Sequence, residues 1–102
     1  MQYANSVMTT YYDDQAGADR EPCVVIFRDI EIVIEYLRDG RPSKYCGKLE
    51  GDQYHLFHWP QIEGFVGEAH LSRPGENVLD GTWSERENGL KSTGTWDIEL
   101  RE

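Results

Sequence analysis

The chain has 102 residues, 38% of them hydrophobic, and its nineteen acidic and ten basic residues give a formal net charge of -9. The length suits one domain with one core and excludes two. The negative charge repels phosphate backbones and anionic lipid headgroups, so it argues against nucleic acids and membranes as partners. A basic protein surface would be a suitable partner.

The N-terminal sequence and the cysteines bear on the compartment. No apolar run approaches the roughly 20 residues that span a bilayer, and "MQYANSVMTTYYDDQ" has neither the basic start nor the apolar region of a signal peptide. Cys23 and Cys46 are too few for a disulfide framework and have no zinc-binding spacing. We therefore predict a soluble cytoplasmic protein with two free thiols.

Residues 1–22 differ in pattern from the rest of the chain and form a predicted N-terminal segment. Tyr3, Val7 and Tyr11 have the i, i+4, i+8 spacing of a helix that faces a core, whereas "SVMTTYY" suits a strand equally well. The acidic stretch "DDQAGADREP" is typical of a loop. We predict a short helix or strand and then a loop, followed by the main domain over residues 23–102.

From Val24 onward the hydrophobic period is two, which is typical of half-buried strands, and turn signals such as Asp39-Gly40 and Asn88-Gly89 recur at strand-length intervals. The first two predicted strands could also be one bent strand. The predicted strands cover residues 24–28, 30–37, 44–50, 53–58, 63–72, 77–86 and 91–101. Short turns join antiparallel neighbours, so we predict an all-β, up-and-down meander of six to eight strands. Closure removes exposed edges, which favours a small barrel over the alternative, a β-sandwich.

The repeated Gly-Thr-Trp near the end of the chain sets a predicted register. If residues 88–89 form a two-residue hairpin turn, Trp83 lies opposite Gly94 and Gly81 lies opposite Trp96. Each indole then covers a glycine on the neighbouring strand, the arrangement called aromatic rescue. That pairing by itself explains both tryptophans as core residues.

A second turn extends the register to the preceding strand. A three-residue loop at 74–76 would place Gly67 opposite Trp83 and Ala69 opposite Gly81. One predicted face then carries no charge. It comprises Ile30, Ile32, Ile34, Tyr36, Tyr45, Leu49, Tyr54, Leu56, Phe65, Leu71, Leu79, Trp83, Trp96, Ile98 and Leu100. This face is either a solid core or the wall of a pocket, with the hydroxyls of Tyr36, Tyr45 and Tyr54 as its polar groups.

The stretch "LDGTWSERENG" at residues 79–89 resembles the Gly-x-Trp strand and turn of the calycin superfamily, the lipocalins and avidins. That superfamily carries the motif on its first strand, whereas both copies here lie on the last two predicted strands. The resemblance implies an up-and-down barrel that binds a small ligand in its mouth, with Trp83 and Trp96 as wall residues. It implies no particular ligand.

Two polar or aromatic features lie outside this face. The outward side of neighbouring predicted strands carries His55, Glu68 and His70, which is the geometry of a His-Glu-His metal site. No sequence motif supports such a site, so we favour the interpretation that these are solvated surface groups. His58 does not share that side because strand side chains alternate. Trp59, in "FHWPQIEGF", either closes one barrel end or binds a partner there.

No Ser-His-Asp order, phosphate-binding loop or catalytic carboxylate pair is visible, so an enzyme is the weakest of the function classes. We predict a non-catalytic binding module without a cofactor or a metal, which captures a small apolar or aromatic molecule at one barrel end. The predicted ligand-binding residues are Trp59, Tyr54, Tyr36, Tyr45, Trp83 and Trp96. The alternative is an acidic interaction or inhibitor domain that docks a basic protein. A homodimer is compatible with either.

Overall fold

Eight antiparallel strands make up the computed structural model of the chain, which describes residues 1–102. The strands are β1 (Gln2–Tyr12), β2 (Ala18–Arg28), β3 (Glu31–Arg38), β4 (Arg41–Glu50), β5 (Gln53–Trp59), β6 (Phe65–Gly75), β7 (Val78–Glu87) and β8 (Leu90–Glu99). Each strand pairs with the next, and β8 pairs with β1 to close a barrel. The predicted up-and-down barrel is confirmed, and the sandwich alternative is wrong. The structure contains no helix that is long and apolar enough to cross a membrane.

The N-terminal segment is a strand and not a helix, and residues 1–22 supply β1 and the start of β2 to the barrel. Tyr3 is buried as expected, but Val7 is only half-buried and Tyr11 is exposed. Met8, which the helical spacing passed over, is fully buried instead. An irregularity in the register between Tyr3 and Ser6 reverses the alternation, so Ser6, Met8 and Thr10 face inward after it while Val7 and Tyr11 do not.

A tight turn separates β2 from β3, so the alternative of one bent strand over 24–37 is wrong. Asp29 adopts a left-handed conformation with φ of 55°, which aspartate tolerates better than most residues because its short side chain bonds locally. Ile30 lies in this turn and is 47% exposed. It therefore does not belong to the inward face on which the alternating pattern placed it.

The β7–β8 hairpin has the predicted register. Trp83 pairs with Gly94 and Gly81 pairs with Trp96 around the turn at residues 88–89, in which Asn88 has φ of 50°. A methyl group added at Gly94 would lie 2.7 Å from Cζ2 of Trp83. The indole therefore occupies the space that a side chain at Gly94 would need.

The predicted register between β6 and β7 is wrong by two residues. Ala69 and not Gly67 pairs with Trp83, and Leu71 pairs with Gly81. The connection has two residues, 76–77, and not the assumed three. The pairing is also irregular between Ser72 and Gly75, which changes the register of the rest of the two strands. Because side chains alternate with a period of two, a shift of two residues leaves the inward face unchanged.

The inward face is a core of seventeen buried hydrophobic residues, with Tyr12 and Tyr54 packed against it. Most of the predicted members are buried, but Leu49 is exposed near a turn and Phe65 is half-buried. The predicted absence of charge is also wrong, because Glu85 on β7 points inward and is only 7% exposed. This carboxylate lies near the barrel end formed by the turns at 13–17, 39–40, 60–64 and 88–89, which we call the mouth.

Candidate functional site

A buried polar cluster occupies the mouth of the barrel. Glu85 follows Trp83 by two residues on β7 and so continues the same inward face. One of its carboxylate oxygens accepts a hydrogen bond of 2.5 Å from the Tyr45 hydroxyl, and the other pairs with the Arg38 guanidinium. The Arg38 side chain is 45% exposed and lies over the Phe65 ring, 5.8 Å from its centroid. Arg38 therefore covers the mouth from the solvent side.

Aromatic rings form the wall below this cluster. Tyr45 is fully buried and packs edge-on against Trp96, with ring centroids 5.1 Å apart, and Tyr36 packs against both rings. Trp83 stacks on Trp96 at 6.3 Å. Gly67 on β6 makes room for the Tyr45 phenol, because a methyl group there would lie 2.9 Å from its Cζ. The glycine explains how so large a ring fits between neighbouring strands.

The space left inside this wall is small. The internal cavity measures about 40 Å³ and lies between Arg38, Glu85, Tyr12 and the two indoles. Ligand pockets usually measure about 300–1,000 Å³, whereas a cavity of this size accommodates water. The barrel interior is therefore filled by side chains, and a ligand of ordinary size does not fit inside it.

The six predicted ligand-binding residues lie in three places, and Tyr36 borders two of them, the mouth and an outer groove beside Trp59. Four of them meet at the mouth, namely Tyr36, Tyr45, Trp83 and Trp96. Tyr54 lies toward the opposite end of the barrel, where its ring is 5.7 Å from that of Phe27. Trp59 pairs with Lys44 on the outer surface and is 54% exposed. No single pocket contains all six.

Burial changes the acidity of the tyrosines at the mouth. Burial raises the pKa of Tyr36 and of Tyr45 well above the usual 10.0, and the negative charge of Glu85 adds to the effect on both. Burial, together with a 2.8 Å hydrogen bond to Asp19, raises the pKa of Tyr12 to about 12. These phenols are therefore neutral near neutral pH, and Tyr12 and Tyr45 donate hydrogen bonds to Asp19 and Glu85.

The raised pKa values predict a loss of stability in alkali. The folded chain keeps phenol protons that the unfolded chain releases, so the free energy of unfolding is at its full value below pH 10.0 and falls as the pH rises above it. We expect alkaline unfolding to coincide with a steep rise of tyrosinate absorbance. Tyr45→Phe should make the pH dependence shallower. Complete tyrosine ionisation while circular dichroism still shows the folded barrel would contradict this prediction.

Trp59 borders a large groove on the outer wall. The groove measures about 570 Å³ and crosses β1 to β5. Apolar side chains form most of its lining, and Glu35 and Lys44 provide the charged groups. Its apolar members include Pro22, Val24, Leu37, Pro42, Trp59 and Pro60. Lys44 pairs with Trp59 across β4 and β5, so the two side chains leave the same face of the sheet as neighbours.

A second open depression lies above the mouth. It measures about 450 Å³ and is bordered by Arg38, Asp39, Arg41 and Glu87, with Ile62 and Phe65 contributing apolar surface. Its charged border suits a polar or ionic molecule better than an apolar one. Arg38 separates this depression from the small internal cavity.

The histidines lie where the alternation predicted. His55 and His70 pair directly across β5 and β6 on the outer wall, and Glu68 lies beside them. A hydrogen bond with Glu68 raises the pKa of His55 above 6.5. His58 lies on the inner side, 3.2 Å from the Ser43 hydroxyl.

Arg38 and Glu85 are the residues that the sequence reasoning missed. Extending the inward alternation beyond Trp83 by one step would have placed Glu85 in the interior. No local signal identifies Arg38 as its partner, because the two residues are 47 positions apart. Their pairing depends on how β3 and β7 face each other across the barrel.

Comparison with known proteins identifies neither a family nor a relative of the chain. The chain matches no protein-family model, and no curated protein is similar enough to count as a relative. The function must therefore be argued from the geometry of the chain itself.

Proposed function

We propose that the protein is a non-catalytic binding module that captures a small apolar or aromatic molecule in the outer groove beside Trp59. The observation that carries the proposal is the contrast between the two spaces, about 570 Å³ beside Trp59 and about 40 Å³ inside the barrel. Of these two volumes, only the one beside Trp59 falls in the usual range of ligand-binding pockets. The proposed site is therefore the outer wall near the mouth and not the barrel interior.

The chemistry of the groove supports this choice of ligand. An indole that is 54% exposed offers a large flat apolar surface, and the proline side chains beside it lose little conformational entropy on binding. Glu35 and Lys44 pair directly across β3 and β4 in the groove and can orient a polar substituent. The depression above the mouth has a charged border and is less suited to an apolar ligand.

A dye titration tests the site. We expect the fluorescent apolar dye anilinonaphthalene sulfonate to bind the full chain saturably, and Trp59→Ala to weaken that binding roughly ten-fold, which equals about 1.4 kcal/mol. Phe57→Ala is the matched control, because Phe57 is an exposed aromatic residue on the same strand outside the groove lining. Equal dye affinity in the wild type and Trp59→Ala, or an equal loss in Phe57→Ala, would disprove the proposed site.

Docking of a basic protein is the second candidate function. Asp80 and Asp97 pair directly across β7 and β8 on the outer wall, and neither forms a salt bridge. Like charges in such a pair are unfavourable by themselves and favour a cationic partner. Association through this wall would weaken steeply with added salt, unlike capture of an apolar molecule.

A cytoplasmic location is part of the proposal. Cys23 points into the core, whereas Cys46 pairs with Val33 and Phe57 on the outer side of the wall. Side chains on opposite faces of a sheet do not form a disulfide, and both thiols are free. Free thiols fit a reducing compartment.

A further inference from the structure

Three metal-binding side chains converge on the outer wall between β5 and β6. His55 pairs directly with His70, and their rings stack with centroids 4.2 Å apart. Nε2 of His55 lies 2.5 Å from a carboxylate oxygen of Glu68. One potential ligand atom from each residue lies within 4.8 Å of the other two. The alternation of two neighbouring strands is sufficient to place all three on one face.

We propose that His55, Glu68 and His70 bind a divalent transition-metal ion of the zinc type. Two imidazoles and one carboxylate form a ligand set that zinc accepts, with a water molecule in the fourth position. Bonds of about 2.0–2.2 Å place the ligands of a tetrahedral ion about 3.4 Å apart. The His55–Glu68 pair, now 2.5 Å apart, must therefore open by about 1 Å, and a pair at the 4.8 Å limit must close by about 1.4 Å. Rotation of these partly exposed side chains allows both changes.

The surroundings of His55 match those of a metal ligand. Its Nδ1 lies 3.4 Å from a carboxylate oxygen of Glu50, while its Nε2 faces Glu68. Metal-binding histidines commonly donate the second ring N–H to a carboxylate, which fixes the tautomer and the ring orientation. Glu50 is therefore a positioning residue in the proposed site.

The ring nitrogens of His70 have no polar partner on this face. Its ring nitrogens make no hydrogen bond and no salt bridge, although the ring is stacked on His55 and half-buried. A lone pair on His70 is thus available to a metal ion. Lys48 pairs with His55 from β4 and adds an unfavourable positive charge, which the carboxylates of Glu50 and Glu68 offset.

Zinc titration of the full chain tests the site. After treatment with a chelator, we expect calorimetry with Zn²⁺ to show saturable one-to-one binding and zinc to raise the melting temperature. His55→Gln, Glu68→Gln and His70→Gln should each weaken binding at least about ten-fold, and Glu50→Gln should weaken it by roughly the same factor. With Co²⁺ as the probe, the visible spectrum should have the intensity of a tetrahedral site.

His58→Gln is the matched control, because His58 is the third histidine and lies on the inner side of the wall. Its zinc affinity should equal that of the wild type, and circular dichroism verifies that every variant is folded. The proposal is overturned if the wild type shows no saturable zinc binding, or if folded His70→Gln binds zinc as tightly as His58→Gln does. Zinc binding and dye binding use different residues of the outer wall, so either can fail without the other.

Discussion

Gly94→Ala is expected to destabilise the barrel by about 3 kcal/mol and to lower the melting temperature by roughly 12 °C. A methyl group at this position would collide with the main-chain carbonyl of Tyr11 on β1 and lie 2.7 Å from Cζ2 of Trp83 on β7. A main-chain oxygen cannot move aside by a side-chain rotation, so the cost is at the upper end of the range for overpacking. Thermal and denaturant unfolding measure it.

Gly75→Ala is the matched control for this substitution. A methyl group at Gly75 would lie 3.7 Å from Cγ1 of Val78, an ordinary contact, and this glycine does not have a positive φ. We expect a change of no more than about 0.5 kcal/mol. If both variants unfold at the same temperature, β8 does not approach β1 and Trp83 as closely as described.

Glu85→Ala is expected to destabilise the chain by about 3 kcal/mol, the lower end of the cost of breaking a buried ion pair. The substitution leaves the buried Tyr45 hydroxyl without its acceptor and Arg38 without its partner. Because the Arg38 side chain is 45% exposed, solvent reduces its share of the cost. Urea unfolding of the two proteins measures the difference.

Two further variants distinguish the loss of the buried Glu85 carboxylate from the effect of shortening any side chain on β7. Glu87→Ala removes an exposed carboxylate from the same strand and should cost no more than about 0.5 kcal/mol. Tyr45→Phe in the Glu85→Ala background should cost less than the sum of the single changes, because it removes the orphaned hydroxyl. Additive costs, or a Glu85→Ala variant as stable as Glu87→Ala, would contradict the buried hydrogen bond.

The β7–β8 hairpin illustrates what could be predicted from local sequence. A two-residue turn at Asn88-Gly89 determines every pair of the two strands, because hairpin register follows from the turn geometry. The connection between β6 and β7 was predicted two residues out of register, because a strand irregularity near Gly75 leaves no comparably clear signal in the sequence. The inward face was nevertheless predicted correctly there.

The candidate sites were less predictable than the strands. Trp59 was identified from its unusual sequence context, without a choice between closing the barrel end and binding there. Its groove also contains residues from β2, β3 and β4, which only the folded wall brings together. His55, Glu68 and His70 were placed on one face by alternation, whereas the stacking of the two imidazoles and the role of Glu50 required coordinates. The filled interior could not be predicted either, since volume depends on how the rings from opposite walls interdigitate.

The sequence by itself determined the all-β architecture and the residues that face inward on most strands, since alternation and turn chemistry act between residues that are close along the chain. Only the tertiary structure decided that β1 closes the barrel against β8 and that Arg38 meets Glu85 across the mouth. It also moved the proposed ligand site from the barrel end to the outer wall beside Trp59. These features depend on contacts between distant segments, and no local pattern encodes which distant side chains will share one space after closure.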